Sequence, residues 1–142
     1  MVVKIDNDAA ARPQAGLNEA DLVYEVMVEG ITRFAAVYHT GASERVGPVR
    51  SARTSDRDLL TNLNRPLFAW SGGNPTVAGE VRRHAAEGKL VDLSEDAFQE
   101  AYRREGPNPR PHNLYTSTAA IRGRTPRRRR PARLRLLVPD RR

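Results

Sequence analysis

The chain has 142 residues, no cysteine and a formal net charge of +7, which is enough length for one domain around one core. Without cysteine there is no disulfide framework, no thiolate chemistry and no Cys-ligated metal, and no apolar run approaches the roughly 18 residues of a membrane span. The positive charge is local: Ile121 to Arg142 hold ten Arg and one acid, or +9, while the other 120 residues carry 14 basic and 16 acidic side chains, or −2. A nucleic-acid partner is therefore not expected for the body of the chain.

In chain order, "VVKID" (Val2 to Asp6) reads as a short strand and "NDAAARPQAG" as a turn-rich connection. Val23 to Val28 and Thr32 to His39 are rich in β-branched and aromatic residues, with Glu29-Gly30 between them, which predicts an antiparallel hairpin. Leu22, Tyr24, Val26 and Val28 fall on one face by alternation and are expected to meet the core. Glu25 falls on the other, where Arg33 of the partner strand is expected to pair with it.

"ERVGPVRSAR" (Glu44 to Arg53) then crowds Arg45, Arg50 and Arg53 around a Gly-Pro turn. "TSDRDLLTNL" predicts a helix capped by Ser55, with Asp56 and Asp58 at its positive end and Leu59, Leu60 and Leu63 inward. "PLFAW" has the length of a buried strand and runs into the loop "SGGNP". Asn74 as cap and Pro75 in the first turn predict a helix to about Glu87, closed by Gly88, with Val77, Val81 and Ala85 inside. "KLVDL" reads as a strand. Ser94 is expected to cap a helix through Glu105, with Phe98, Ala101 and Tyr102 inward and Arg103 and Arg104 near its negative end. "HNLYTS" reads as a last short strand or extended segment. A hairpin followed by alternating strands and helices predicts an α+β fold: a layered mixed β-sheet with helices packed against it. The domain is expected to span 1–120.

The remaining stretch, 121–142, is dominated by Arg and Pro and shows no periodicity. It reads as a polyanion-binding arm, as a like-charged disordered end, or as an aberrant stretch from an out-of-frame GC-rich gene.

Arg presents a rigid planar fork that matches carboxylate and phosphate oxygens, so Arg50 and Arg53 on one loop can clamp an anion with Ser51 between them. Against this, Asp56 and Asp58 are near enough in sequence to neutralise the same arginines. "SGGNP" is not a phosphate loop, since no Lys-Ser or Lys-Thr follows; Ser71, Gly72, Gly73 and Asn74 serve a sharp turn or line a ligand. Among three histidines, His112 in "RPHNLYTS" is the best candidate for chemistry. A Ser51–His112 triad with Asp56 or Asp58 can be drawn, yet no nucleophile elbow surrounds Ser51. Asp6 and Glu25 are candidate acid–base carboxylates. No His or carboxylate pair has metal-ligand spacing, so neither a metal nor another cofactor is expected.

Together, "VKIDNDAAARPQAGLNEADLVYEVMVEGITRF", "VGPVRSAR", "AWSGGNP" and "PHNLYTST" resemble the YerB-like family of bacterial lipoproteins, a domain of unknown function, from about Val2 to Thr118. The resemblance implies an extracytoplasmic, membrane-anchored protein with a mixed layered fold and no established activity, cofactor or catalytic set. It places Asp6, Asn7, Arg12, Arg50, Arg53, Ser71, Gly72, Gly73, His112 and Asn113 on family motif positions. Two departures stand out. Met1 sits almost on the first strand where the family has a leader, so the chain as written lacks a signal peptide and reads as cytoplasmic. The arginine-rich stretch also stands where the family continues into a further sheet-forming region, so a truncated copy is expected.

The expected function is a non-catalytic cell-envelope module that binds an anionic small molecule or envelope polymer. The ligand site comprises Arg50, Ser51, Arg53, Ser71, Gly72, Gly73, Asn74, His112 and Asn113, supported by Asp6, Asn7, Arg12, Glu25 and Arg33. One alternative is an envelope hydrolase or transferase acting on a cell-wall or glycan substrate through His112 with Asp6 or Glu25. Another is a protein–protein adaptor using the hairpin.

Overall fold

The computed structural model describes residues 1–124. Seven strands run in chain order: β1 (Val2–Ile5), β2 (Leu22–Val28), β3 (Ile31–Val37), β4 (Leu67–Ala69), β5 (Val91–Asp92), β6 (Arg103–Arg104) and β7 (Leu114–Tyr115). Among them stand three α-helices, α1 (Thr54–Thr61), α2 (Pro75–Ala86) and α3 (Thr118–Arg122), and two 3-10 turns at Ala9–Ala11 and Gln99–Ala101.

Five strands form a mixed sheet in the order β2-β3-β1-β4-β5, and β6 pairs with β7 in a separate ribbon. β1, β4 and β5 are parallel, while β3 runs antiparallel to both β1 and β2. This is the α+β layered sheet with an N-terminal hairpin that the sequence predicts. Alternation along β1 sends Val2 and Lys4 to one face and Val3 and Ile5 to the other, and all four are buried. On the first face Val2, Ala35, Phe68 and Trp70 pack with Leu60 of α1 and Val81 of α2. On the second, Val3, Ile5, Ala36 and Ala69 pack with Val46, Val49, Leu114 and Ile121. The sheet is thus the middle of three layers.

Lys4 lies in the first of these cores, fully buried, with its ammonium 2.5 Å from Asp56 of α1. A charge there survives only because its partner is supplied by the helix laid across the strand. Burial lowers the Lys4 pKa, and the Asp56 carboxylate opposes that effect.

Several expectations are corrected. The apolar face of β2 does not meet the core: β2 is a sheet edge on which Leu22, Tyr24 and Val23 are exposed, Val26 is half-buried and only Val28 is buried. Alternation defines a face but not whether a layer covers it, and the helices cover the sheet from β3 inward. Arg33 does not pair with Glu25. It stands opposite Val26, so it projects to the other face, and Glu25 accepts instead from the Thr32 hydroxyl at 2.6 Å.

Ser55 is not the cap of α1; Arg53 is the N-cap residue, and Asp56 accepts its backbone N–H at 2.7 Å. The helix expected from Ser94 to Glu105 is absent. That stretch makes a turn and the 3-10 segment, then becomes β6, because Arg103 and Arg104 pair with Tyr115 and Leu114. Phe98, Ala101 and Tyr102 still pack against the second core.

α3 was not expected, and it crosses the boundary read at residue 121: Ile121 is wholly buried. The three readings of the arginine-rich stretch otherwise fall on 125–142, outside the described residues.

Candidate functional site

The parallel strands β1, β4 and β5 end at one edge of the sheet, and the turn of the β2–β3 hairpin lies at that same edge. In open α/β sheets ligands bind beyond the carboxyl ends of the parallel strands, and the parallel part of this mixed sheet likewise sends its loops to one edge. Asp6 follows β1, Ser71 to Asn74 follow β4, and Glu95 lies three residues past β5. The arginine loop runs alongside: the Arg50 N–H donates to Lys4, the Ser71 N–H to Arg50, and Asp6 to Pro48. Its path needs glycine at Gly47, where a Cβ would stand 2.7 Å from the Leu114 carbonyl oxygen. Gly73 (φ +125) faces Ser51, whose Cβ would lie 3.2 Å from an added one. The two loops therefore pack on each other through the glycines.

Two connected networks occupy this edge. In the first, one carboxylate oxygen of Asp6, only 1% exposed, lies 2.7 Å from His112 Nδ1 and forms an ion pair with Arg50, whose Nε is 3.2 Å away. The other Asp6 oxygen accepts the Asp8 N–H at 3.0 Å. With its Nδ1 hydrogen committed to Asp6, a neutral His112 presents Nε2 as an acceptor.

In the second network, Arg104 donates to the Asn113 side-chain oxygen at 3.0 Å and approaches Glu95 at 3.4 Å, and Glu95 accepts from the Ser71 hydroxyl. Adjacency of His112 to Asn113 joins the two. The side chains of Arg50, Arg53, Glu95, Arg104 and His112 are 18–27% exposed, so this ring borders solvent without being immersed in it.

Beside the ring lies an excess of positive charge. Arg33, 4% exposed, donates to the Ser51 carbonyl oxygen at 3.3 Å. Arg53 donates to the Ala52 carbonyl oxygen at 3.0 Å and stands 3.6 Å from Glu29, itself 81% exposed. The Nε groups of Arg33, Arg50 and Arg53 are buried without a hydrogen-bond partner among the described residues, Arg50 meeting Asp6 as an ion pair only. Burial first, then the charges of Arg53 and Arg50, pull the Arg33 pKa down from 12.5 to about 10. It remains a cation at neutral pH, held against two like charges that the Asp6 and Glu29 carboxylates partly offset.

The structure thus brings Arg33, Arg50, Ser51, Arg53, Ser71, Gly72, Gly73, Asp6 and His112 to one edge, with Asn113 one residue further. Asn74 is spent on capping α2 by accepting the Thr76 N–H. Asn7 accepts from Gln14 at 3.0 Å and from Arg12 at 3.4 Å, and donates to Thr32, which leads on to the exposed Glu25.

Arg45 leaves the group: it pairs with Glu105 at 2.6 Å and lies over the Tyr115 ring at 4.0 Å. The triad with Asp56 or Asp58 is overturned, since the acid beside His112 is Asp6, Asp56 serves Lys4, and Asp58 serves Arg57. For the same reason Asp56 and Asp58 do not neutralise the loop arginines. Glu95 and Arg104 were missed, because Arg104 joins the site through pairing of β6 with β7, a contact with no local sequence signal. Two surface depressions of about 520 and 550 Å³ lie elsewhere, at Thr61–Arg65 with Gly88 and Lys89, and at Ala42–Glu44 with Ser117–Ala119.

The model of the family described as "Protein of unknown function (DUF3048) N-terminal domain" matches residues 1–130. The chain belongs to this family. Over 119 residues it is 37% identical to "Putative lipoprotein YerB" of Bacillus subtilis, covering 82% of this chain and 34% of that protein. The crystal structure of YerB from Bacillus subtilis superposes with a TM-score of 0.74 at 34% identity, covering 87% of this chain and 41% of the other. The chain therefore spans about a third of the curated relative it matches. Among the described residues no helix is long and apolar enough to cross a membrane.

Proposed function

We propose that this domain is an envelope-associated module that binds an anionic ligand at the sheet edge bounded by Arg33, Arg50 and Arg53. The observation that carries the reading is Arg33. It is a nearly buried guanidinium with no carboxylate hydrogen-bonded to it, packed near two more of the same charge. Folding tolerates such repulsion at a cost, and an anion seated among the three forks relieves it. In this reading Ser51, Ser71, Gly72, Gly73, His112 and Asn113 line the rest of the site. The envelope setting follows the name of the Bacillus subtilis relative and stands as part of the proposal.

The test is calorimetric titration with inorganic phosphate and citrate of the wild type and of the Arg50→Ala, Arg53→Ala variant. A hydrogen bond to a charged partner contributes about 1.5–3 kcal/mol, so the variant is expected to bind at least about tenfold more weakly. Unchanged affinity in the variant removes the reading.

A second reading has one observation in its favour. The 2.7 Å contact of Asp6 with His112 is the orientation a general base uses, with the carboxylate fixing the imidazole tautomer. It favours a hydrolase or transferase, for which a wall or glycan substrate is the proposed class. Turnover of a wall fragment that disappears in His112→Ala would establish it.

A further inference from the structure

The site has two unlike halves. Arg33, Arg50 and Arg53 offer donors and positive charge, which inorganic phosphate or any simple anion satisfies. The His112 side differs: its Nδ1 is held by Asp6, the contact that selects the tautomer in which Nε2 is left as an acceptor at the solvent border. No hydrogen bond reaches that Nε2 among the described residues. Asp6 itself is fully engaged by His112, Arg50 and the Asp8 N–H, which fixes the ring's orientation. Inorganic phosphate keeps a P–OH, but the dianion of a phosphate monoester has only acceptor oxygens and cannot bond to that Nε2 through its phosphate. A phosphate ester that fills both halves therefore carries, close to the phosphate, a separate hydroxyl donor.

The neighbouring network extends the argument. Glu95 and Asn113 add acceptor oxygens, with Arg104 and Ser71 as donors between them. Alternating donors and acceptors around a rim suit a molecule whose hydroxyls both give and take hydrogen bonds. Resting on the anion-binding reading above, we propose that the ligand class is the phosphate ester of a polyol. The guanidiniums hold the phosphate, and His112 Nε2 accepts a hydroxyl of the polyol.

The experiment compares four probes by calorimetry on the whole chain: inorganic phosphate, methyl phosphate, glycerol 3-phosphate and glucose 1-phosphate. Methyl phosphate has the ester and the charge without a hydroxyl, so it isolates the His112 half. One good added hydrogen bond in a site that otherwise leaves an acceptor unmet predicts about tenfold tighter binding of a polyol phosphate than of methyl phosphate. In His112→Phe that advantage is expected to vanish. The two polyol arms tell a glycerol-type ligand from a sugar.

Equal affinity for methyl phosphate and both polyol esters overturns the proposal while leaving the anion site standing. Binding of none of the four overturns both. The comparison among probes is made on the wild type, so it holds even where the His112 variant fails to fold.

Discussion

Lys4 and Arg33 lie on the same face of the same sheet, on strands that pair directly, and both are almost wholly buried. Yet Lys4 is hydrogen-bonded to a buried carboxylate, whereas Arg33 hydrogen-bonds only to a backbone carbonyl and feels the Arg53 and Arg50 charges more strongly than those of Asp6 and Glu29. The first is a closed arrangement that the fold completes by itself. The second is left electrostatically open at the edge where loops and solvent meet. Burial of a charge alone does not motivate a binding site; burial without a hydrogen-bonded carboxylate is what motivates the proposed one.

The comparison breaks most visibly at Lys4. Lys4→Met strands Asp56 as an unpaired buried charge, and removing one member of such a pair costs about 3–5 kcal/mol. Urea unfolding of the variant is expected to show a loss of that size. Adding Asp56→Asn removes the stranded charge and retains an oxygen for the Arg53 N–H, so the double variant should recover a good part of it. A single variant within about 1 kcal/mol of wild type would mean the pair contributes little.

Arg33→Met is expected to behave in the opposite sense. It loses one hydrogen bond to Ser51, worth about 1 kcal/mol, and removes the repulsion from Arg50 and Arg53. Net stability should lie within about 1 kcal/mol of wild type. The melting-temperature rise that phosphate gives the wild type should shrink or vanish, because a ligand stabilises only through its affinity for the folded state. A variant that unfolds as badly as Lys4→Met would make Arg33 structural and collapse the contrast.

Asp21 supplies the converse case, an exposed carboxylate held by uncharged donors. It accepts from the His39, Thr40 and Gly41 N–H groups and the Thr40 hydroxyl. These bonds hold its pKa well below the usual carboxylate value, the Thr40 hydroxyl foremost. A depressed folded pKa means the contribution is full above the unfolded value near 3.9 and is lost as pH falls towards the folded one. Thermal melts from pH 5 downward should therefore decline less steeply in Asp21→Ala than in wild type. Identical slopes would show that the four bonds do not favour the ionised form.

Much of this was legible in the sequence where signals are local. The hairpin, the Asn74-Pro75 helix start and the glycine stop at Gly88 rest on residues adjacent in the chain. The arginine loop was legible as a cluster because Arg50 and Arg53 share one segment. What failed was every inference that depends on a third layer or a distant strand. Nothing in "LVYEVMV" says that β2 lies beyond the helices' cover. Nothing in "EDAFQEAYRR" says that its last two residues pair with Leu114 and Tyr115 rather than extending a helix. Arg33 was assigned to Glu25 because both lie in one hairpin, but the register puts them on opposite faces. Lys4 carried the signal most readily overlooked, since a lone ammonium inside an apolar strand demands a buried acid from elsewhere.

The smallest expected effect sets the floor of the comparison. Arg82 and Asp96 approach to 3.4 Å, but their side chains are 53% and 70% exposed, so water competes for both and salt screens the rest. Arg82→Ala is expected to change stability by no more than about 0.5 kcal/mol, and the effect should fade further in 0.5 M salt. The distance is not shorter than that of Arg104 to Glu95, whose side chains are only about a quarter exposed. If the Arg82 variant lost as much as Arg104→Ala, burial would not be what separates surface pairs from the ring at the sheet edge. A clear excess for Arg104→Ala would show instead that the ring is held by contacts shielded from solvent, as a preorganised site requires.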